Sequence, residues 1–295
     1  MPTTLVFSIH DAKGDYWPYL YVALRSVLLS SKPQLVFVLH DQTLTDEARQ
    51  QIKLLCMSYK SGITFGKVSL SPYLASGNYG PFSAASIFRL CIPKFFKDHE
   101  QVVYLDCDLV FNGVDVDDLI AAAGDAPIAA VLDPYIGRSK RYRDKLESFG
   151  LDASNYFNSG VLVVRPKQLP DDLIDRFQAF LKQHPAQIHP DQDFLNLQFK
   201  GQWKSLDSRF NYQVCAFDNT LFQPVSSYFG KVIHYAGKLK PLQGSLAPAF
   251  IPFWMHVAGL PKVAEVFDQA AVSYLEPDPN ASDSVKVSRL KMPEL

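Results

Sequence analysis

Val102-Val103-Tyr104-Leu105-Asp106-Cys107-Asp108-Leu109-Val110-Phe111 places two carboxylates between two apolar runs. Side chains of a strand alternate between faces, so residues two apart point the same way. Asp106 and Asp108 therefore share a face at the end of a strand that otherwise reads as buried. Carboxylates held that close repel one another unless a cation lies between them or one takes up a proton. A hard divalent metal with oxygen ligands answers that need, and such a metal commonly meets a diphosphate. Asp-x-Asp alone is a weak signal, because two solvated carboxylates in a turn are spelled the same way. The apolar residues on both sides favour a buried site, and the rest of the chain has to decide.

Outward from that stretch the chain alternates strands with helices. Residues 5–9, 35–39 and 63–70 read as strands. Trp17, Leu20, Tyr21, Leu24 and Leu28 recur at helical spacing with Pro18 in the first turn, and residues 43–57 form a second helix started by Thr43 or Thr45. Strand–helix–strand–helix–strand with wholly apolar strands predicts an α/β fold: a mainly parallel, Rossmann-like sheet flanked by helices. After a Gly-Pro-rich loop at 76–81, a helix carrying Arg89 precedes the Asp-x-Asp strand. Residues 128–132 form a strand ending in Asp133, and 156–164 a strand with polar residues near its start. Helices cover 169–183 and 191–200, and 232–235 is a late strand. Ligands of open α/β sheets bind at the carboxyl ends of strands. His10, Asp11, Asp106, Asp108, Asp133 and His234 all fall at such ends.

The chain has 295 residues, 47% of them hydrophobic and 20% charged, with a formal net charge of −1. This is the composition of an ordinary globular protein, and no basic field draws it to nucleic acid. Four cysteines without Cys-x-x-Cys spacing point to free thiols in a reducing compartment. The N-terminus lacks the features of a signal peptide, and no apolar run is long enough to span a membrane. A cytoplasmic location, at most peripheral at the inner membrane face, is the expectation. Asn280-Ala281-Ser282 reads as a chance sequon.

Asp106-Cys107-Asp108, Asn158-Ser159-Gly160-Val161, Asp191-Gln192-Asp193-Phe194-Leu195-Asn196 and His234-Tyr235-Ala236-Gly237-Lys238-Leu239-Lys240-Pro241 occur in that order. Together they resemble the retaining glycosyltransferases of family 8, which share the GT-A fold, in particular the bacterial lipopolysaccharide and lipooligosaccharide α-galactosyl- and α-glucosyltransferases. The resemblance spans about residues 4–242. It implies a catalytic domain at 1–242, a helical C-terminal extension at 243–276 and a flexible tail at 277–295. It also implies metal-dependent transfer of glucose or galactose from UDP-glucose or UDP-galactose to a saccharide or glycolipid acceptor, with retention, in bacterial surface glycan synthesis.

His234 would be the third metal ligand beside Asp106 and Asp108. Two carboxylates and an imidazole suit Mn2+, with Mg2+ as the alternative. Gly237 would let the backbone approach the diphosphate, and Lys240 would put a point charge on it. The resemblance puts Arg89, Asp133, Asn158 and Ser159 at the donor sugar, where Arg89 alone would read as a surface helix cation. Asp191, which could simply be an N-cap, and Gln192 are placed beside the sugar, with Gln192 near the face opposite the leaving group. Cys107 accompanies the carboxylates in the donor site. Ser8 and His10, where relatives have a small and an acidic residue, would hold the uridine. Leu242 stands where Trp often follows Lys-Pro. Catalytic roles fall to Gln192, Asp191 and Lys240. Since an amide is a poor nucleophile, same-face attack through a short-lived oxocarbenium-like ion pair is favoured over a covalent intermediate.

Rival readings are a self-glycosylating protein resembling glycogenin and a nucleotide-sugar-binding protein without catalysis. Metal-dependent phosphoryl transfer lacks the Gly-rich loop with Lys-Ser/Thr.

Overall fold

The computed structural model describes residues 3–32, 34–70, 84–184, 189–215, 218–237, 239–243 and 247–257. The loop expected at 76–81, Lys238, the tail at 277–295 and most of the expected C-terminal extension lie outside these residues. Within 243–257 there are a 3-10 turn, Pro248–Phe250, and a short helix, Ile251–Met255. No helix among the described residues is long and apolar enough to cross a membrane.

The strands are β1 (Thr4–Ile9), β2 (Leu35–His40), β3 (Gly62–Lys67), β4 (Val102–Leu105), β5 (Leu109–Asn112), β6 (Ile128–Leu132), β7 (Phe157–Val164), β8 (Trp203–Ser205), β9 (Tyr212–Gln213) and β10 (Lys231–His234). Seven form one sheet in the order β3-β2-β1-β4-β7-β6-β8. Its neighbours pair in parallel except on either side of β7, which runs against both β4 and β6. A mainly parallel sheet flanked by helices is therefore what this sequence forms.

Both faces of the sheet are covered, which is why its central strands carry apolar residues on both faces. Leu5, Phe7, Val103, Leu105, Val161 and Val163 face a core shared with the helices Trp17–Ser30 and Asp46–Ser58. Val6, Val102, Tyr104, Leu162 and Val164 face a second core, filled by Ile87, Phe88, Phe177 and Phe194. β3 is different: as the edge strand it is half exposed, and it ends at Lys67 rather than at 70. Thr45, not Thr43, caps the second helix, its Oγ1 accepting from Ala48 N–H at 3.2 Å. The helix expected at 169–183 begins at Leu173 because Pro166–Gln168 forms a separate 3-10 turn.

The Asp-x-Asp stretch does not continue as one strand. β4 ends at Leu105, and β5 leaves for a second sheet of order β5-β10-β9. Asp106 N–H donates to Gly160 O of the large sheet at 2.8 Å, while Asp108 O accepts from Tyr235 N–H beside the small one at 3.0 Å. Ser26 anchors the departing strand from below, its buried Oγ accepting from Phe111 N–H at 3.0 Å. The carboxylates thus meet at a change of sheet, not along a strand edge.

Candidate active site

Three elements converge where the chain changes sheets: the 106–108 bend, the start of β7 and the end of β10. Ligand atoms of Asp106, Asp108 and His234 lie within 4.8 Å of one another, the one such group of three among the described residues. His234 Nε2 stands 3.5 Å from Asp108 Oδ1 and 3.9 Å from Asp106 Oδ2.

Hydrogen bonds fix which nitrogen faces the carboxylates. Asn158 Oδ1 accepts from Gly160 N–H at 2.9 Å and from Asn211 Nδ2 at 2.8 Å. Asn211 therefore turns its carbonyl to His234 Nδ1, 2.8 Å away, and that nitrogen must donate. Nε2 is left with its lone pair toward two carboxylates, the tautomer a metal ligand needs and an unfavourable one with nothing between them. Gly160 completes the cradle: a Cβ there would lie 2.4 Å from His234 Cε1 and 2.8 Å from Asp106 Oδ2. The donor set and the space fit a divalent cation.

The chain also carries its own cations. Arg89 is not a surface residue; it is 6% exposed and makes ion pairs with Asp106 at 2.9 Å and Asp191 at 3.3 Å. Its guanidinium also donates to the carbonyl and Oγ of Ser159 and lies over the Tyr104 ring. Lys240 Nζ pairs with Asp108 and the Tyr235 carbonyl. Burial alone would raise both metal-candidate carboxyls. For Asp108, burial is outweighed by the partners beside it, the Lys240 ammonium first, and the group is held well below the usual carboxylate range. For Asp106, burial wins despite Arg89, and its carboxyl is raised.

Beyond Arg89 lies a continuous amide and carboxylate network. Asp191 is in the first turn of helix Pro190–Gln198, but its side chain caps nothing; the N-cap is His189, and Asp191 Oδ2 accepts from Ser159 Oγ at 3.2 Å. Gln192 Oε1 accepts from Ser159 N–H at 2.9 Å, and its Nε2 donates to Asp133 Oδ2 at 3.1 Å. Asn158 Nδ2 reaches the same Asp133 oxygen at 3.4 Å. One contact network therefore links Arg89, Asp106, Asp108, Asp133, Asn158, Ser159, Asp191, Gln192, His234 and Lys240, though they span 152 positions of sequence.

The remaining candidates are placed differently. The Ser8 hydroxyl is internal, donating to Ala85 O at 2.8 Å and 2.6 Å from Tyr104 OH. Cys107 Sγ faces the Ser8 carbonyl at 3.1 Å, and burial pushes its thiol well above the usual range. His10 pairs with Asp41 at 2.6 Å, at the ends of β1 and β2. Nothing among the described residues requires a glycine at 237, where a Cβ would make ordinary contact with Cys215. Leu242 packs against the core, its N–H donating to Tyr19 OH at 3.1 Å.

Several neighbours have no signal in the sequence. Tyr104 OH donates to Asp106 Oδ1 at 2.8 Å, yet it reads as a strand residue. Tyr16 lies close enough that burial first, then the charges of Asp108 and Asp106, push its phenol far up. Asn211 ends a 3-10 turn, Ser208–Asn211, and Gln213 enters on a two-residue strand, both too short for any periodicity to mark.

Residues 9–243 match the sequence profile of Glycosyl transferase family 8. The chain is 25% identical to the lipopolysaccharide glucosyltransferase WaaO of Escherichia coli over 235 residues, 75% of this chain and 67% of that one. It is 31% identical to the glycosyltransferase GlyA of Streptococcus pneumoniae over 172 residues, 56% of this chain. It spans less than two thirds of the length of the first curated relatives it matches: 62% of a Haemophilus influenzae protein, 22% of GlyA and 48% of GlyB. Its fold, GT-A, is that of the galactosyltransferase LgtC in complex with donor and acceptor sugar analogs, with a TM-score of 0.68, 23% identity, and 94% of this chain and 98% of that one covered. The chain belongs to glycosyl transferase family 8.

Proposed function

We propose that this protein moves a hexose, glucose or galactose, from a UDP-sugar to a hydroxyl of a saccharide acceptor with retention at the anomeric carbon. The observation that carries the reading is the convergence of a three-ligand cation cradle with the buried Arg89–Asp191–Gln192–Asn158–Asp133 network. Asp106, Asp108 and His234 hold the cation, Mn2+ or Mg2+, which supplies Lewis acidity toward the diphosphate. Lys240 neutralises charge on the departing UDP oxygen, and Gly237 admits the diphosphate close to the backbone. His10 stands on the nucleotide side, and Ser8 and Cys107 back that wall from the interior.

Gln192 orients the sugar rather than attacking it. Its carbonyl oxygen accepts from the Ser159 N–H and its amide nitrogen donates to Asp133, which fix its orientation, and a neutral amide is a poor nucleophile. The bond from the anomeric carbon to the UDP oxygen breaks with its electrons passing to the phosphate. The acceptor oxygen then adds on the same face, and its proton goes to that phosphate oxygen. Asp191 keeps Arg89 in place throughout.

In this reading residues 1–242 are the catalytic unit, 243–276 an extension and 277–295 a tail. The work is done in the cytoplasm, against glycolipid or oligosaccharide acceptors of the cell surface. A donor-hydrolysis screen across UDP-, GDP- and dTDP-sugars with Mn2+, Mg2+ or chelator tests it. Slow hydrolysis of UDP-glucose or UDP-galactose that chelator abolishes is expected. Hydrolysis indifferent to chelator, or confined to other nucleotides, would sink the proposal.

A further inference from the structure

Gln213 lies outside every motif read from the sequence, yet its side chain is built into the site. It pairs in register with His234 across β9 and β10, and residues paired across a ladder direct their side chains to the same face. The face that presents the His234 ring to the two carboxylates therefore also presents the Gln213 amide. Gln213 is 5% exposed.

Its orientation is fixed by a chain of partners. Asn158 uses Oδ1 for Gly160 N–H and Asn211 Nδ2, which leaves Nδ2 to face Asp133 and Gln213. Gln213 must answer that donor with its carbonyl, and Oε1 stands 3.4 Å from Asn158 Nδ2. The backbone is held as well, Gln213 O accepting from Tyr135 OH at 3.1 Å. Nε2 is then left buried with no hydrogen-bond partner among the described residues. A buried amide donor without an acceptor is destabilising, and few survive in native proteins without a reason.

We propose that Gln213 reads the hexose of the nucleotide sugar, its Nε2 donating to a sugar hydroxyl oxygen while Asn158 holds its Oε1. The inference rests on the UDP-hexose reading above and adds a specificity residue to it. The position accounts for the choice of ligand. The amide sits beside the metal-candidate His234, where the diphosphate would lie, and shares Asn158 with Asp133 and Gln192 on the sugar side. Such a site discriminates strongly, because a ligand that lacks the matching oxygen leaves the donor unpaired.

Calorimetric binding of UDP, UDP-glucose and UDP-galactose with Mn2+ to wild-type protein and to Gln213→Met and Gln213→Glu separates the outcomes. Methionine keeps the volume and removes both polar atoms; glutamate keeps the acceptor for Asn158 and removes the donor. Both variants should bind UDP within about twofold of wild type, and the preferred UDP-hexose about tenfold more weakly, the effect of one hydrogen bond. If one variant fails to fold, the other is judged by the same criterion. UDP and UDP-hexose weakened equally, or both unchanged while wild-type binding is normal, would overturn the role of Gln213 alone. Wild-type protein that binds neither UDP nor a UDP-hexose would overturn the hexosyl-transfer reading itself.

Discussion

Gly160→Ala is the sharpest probe of the cation cradle, because the added atom has nowhere to go. Its Cβ would fall 2.4 Å from His234 Cε1, 2.8 Å from Asp106 Oδ2 and 3.0 Å from His234 Nδ1, where ordinary contact begins near 3.4 Å. The imidazole would have to retreat by roughly 1 Å and the carboxylate by about half that. Neither is free to do so. His234 Nδ1 is tied to Asn211 at 2.8 Å, and Asp106 Oδ1 is held by Arg89 and Tyr104. The backbone of residue 160 is pinned on both sides, to Asn158 Oδ1 and Asp106 N–H.

Overpacking of this kind costs about 1–3 kcal/mol of stability. The larger effect should be on the metal, since ligand distances are held within about 0.2 Å and disturbing even the groups behind the ligands weakens binding ~10–100-fold. Mn2+ titration by calorimetry, with thermal melts in the presence and absence of the ion, should show at least that loss in a variant whose circular dichroism is native. Gly137→Ala is the control of equal size, because its Cβ meets only Ala153 Cβ at 3.4 Å. A folded Gly160→Ala protein that binds Mn2+ as wild type does would refute the reasoning.

Two further outcomes follow from buried charge. Arg89→Met leaves Asp106 and Asp191 buried without their cation and should cost ~3–5 kcal/mol in urea unfolding, whereas a surface cation would cost almost nothing. His256 is held near a pKa of about 4, by burial first and then by Arg25. The folded protein keeps the ring neutral while the unfolded chain takes up a proton below its ordinary value. The stabilisation is therefore complete above about pH 6.5 and lost as pH falls toward 4, roughly 1–3 kcal/mol in all. Wild type should lose more melting temperature between pH 7.5 and 5 than His256→Gln does, and equal losses would remove His256 from the account.

The sheet was legible because each central strand is apolar on both faces, and the helices because their apolar residues recur with Pro18 and Thr45 at the starts. The edge character of β3 was not, since Ile63 and Phe65 do pack against the core and it is the exposure of Thr64 and Lys67 that betrays the edge. The metal candidates stood out because charge is conspicuous at the end of an apolar run. Their internal compensation did not: Arg89 and Lys240 reach Asp106 and Asp108 from 17 and 132 positions away. The Gly160 cradle was hidden in plain view, inside a quoted motif, because a steric requirement leaves no trace in composition. Gln213 and Asn211 were invisible, one on a strand of two residues and the other at the end of a four-residue 3-10 turn.

The ion-paired heart of the site also couples the two ligands that the proposed function brings to it. Asp106, Asp108 and Asp191 face Arg89 and Lys240, which leaves one negative charge in excess. A diphosphate entering alone would deepen that excess, and a divalent cation entering alone would invert it. Entering together, they leave the balance where it stood. Each should therefore tighten the other's binding by the same factor, as thermodynamic linkage requires. On the proposed function, nucleotide affinity would become a readout of metal concentration, and an apparent Kd for either ligand would mean little until the other is fixed.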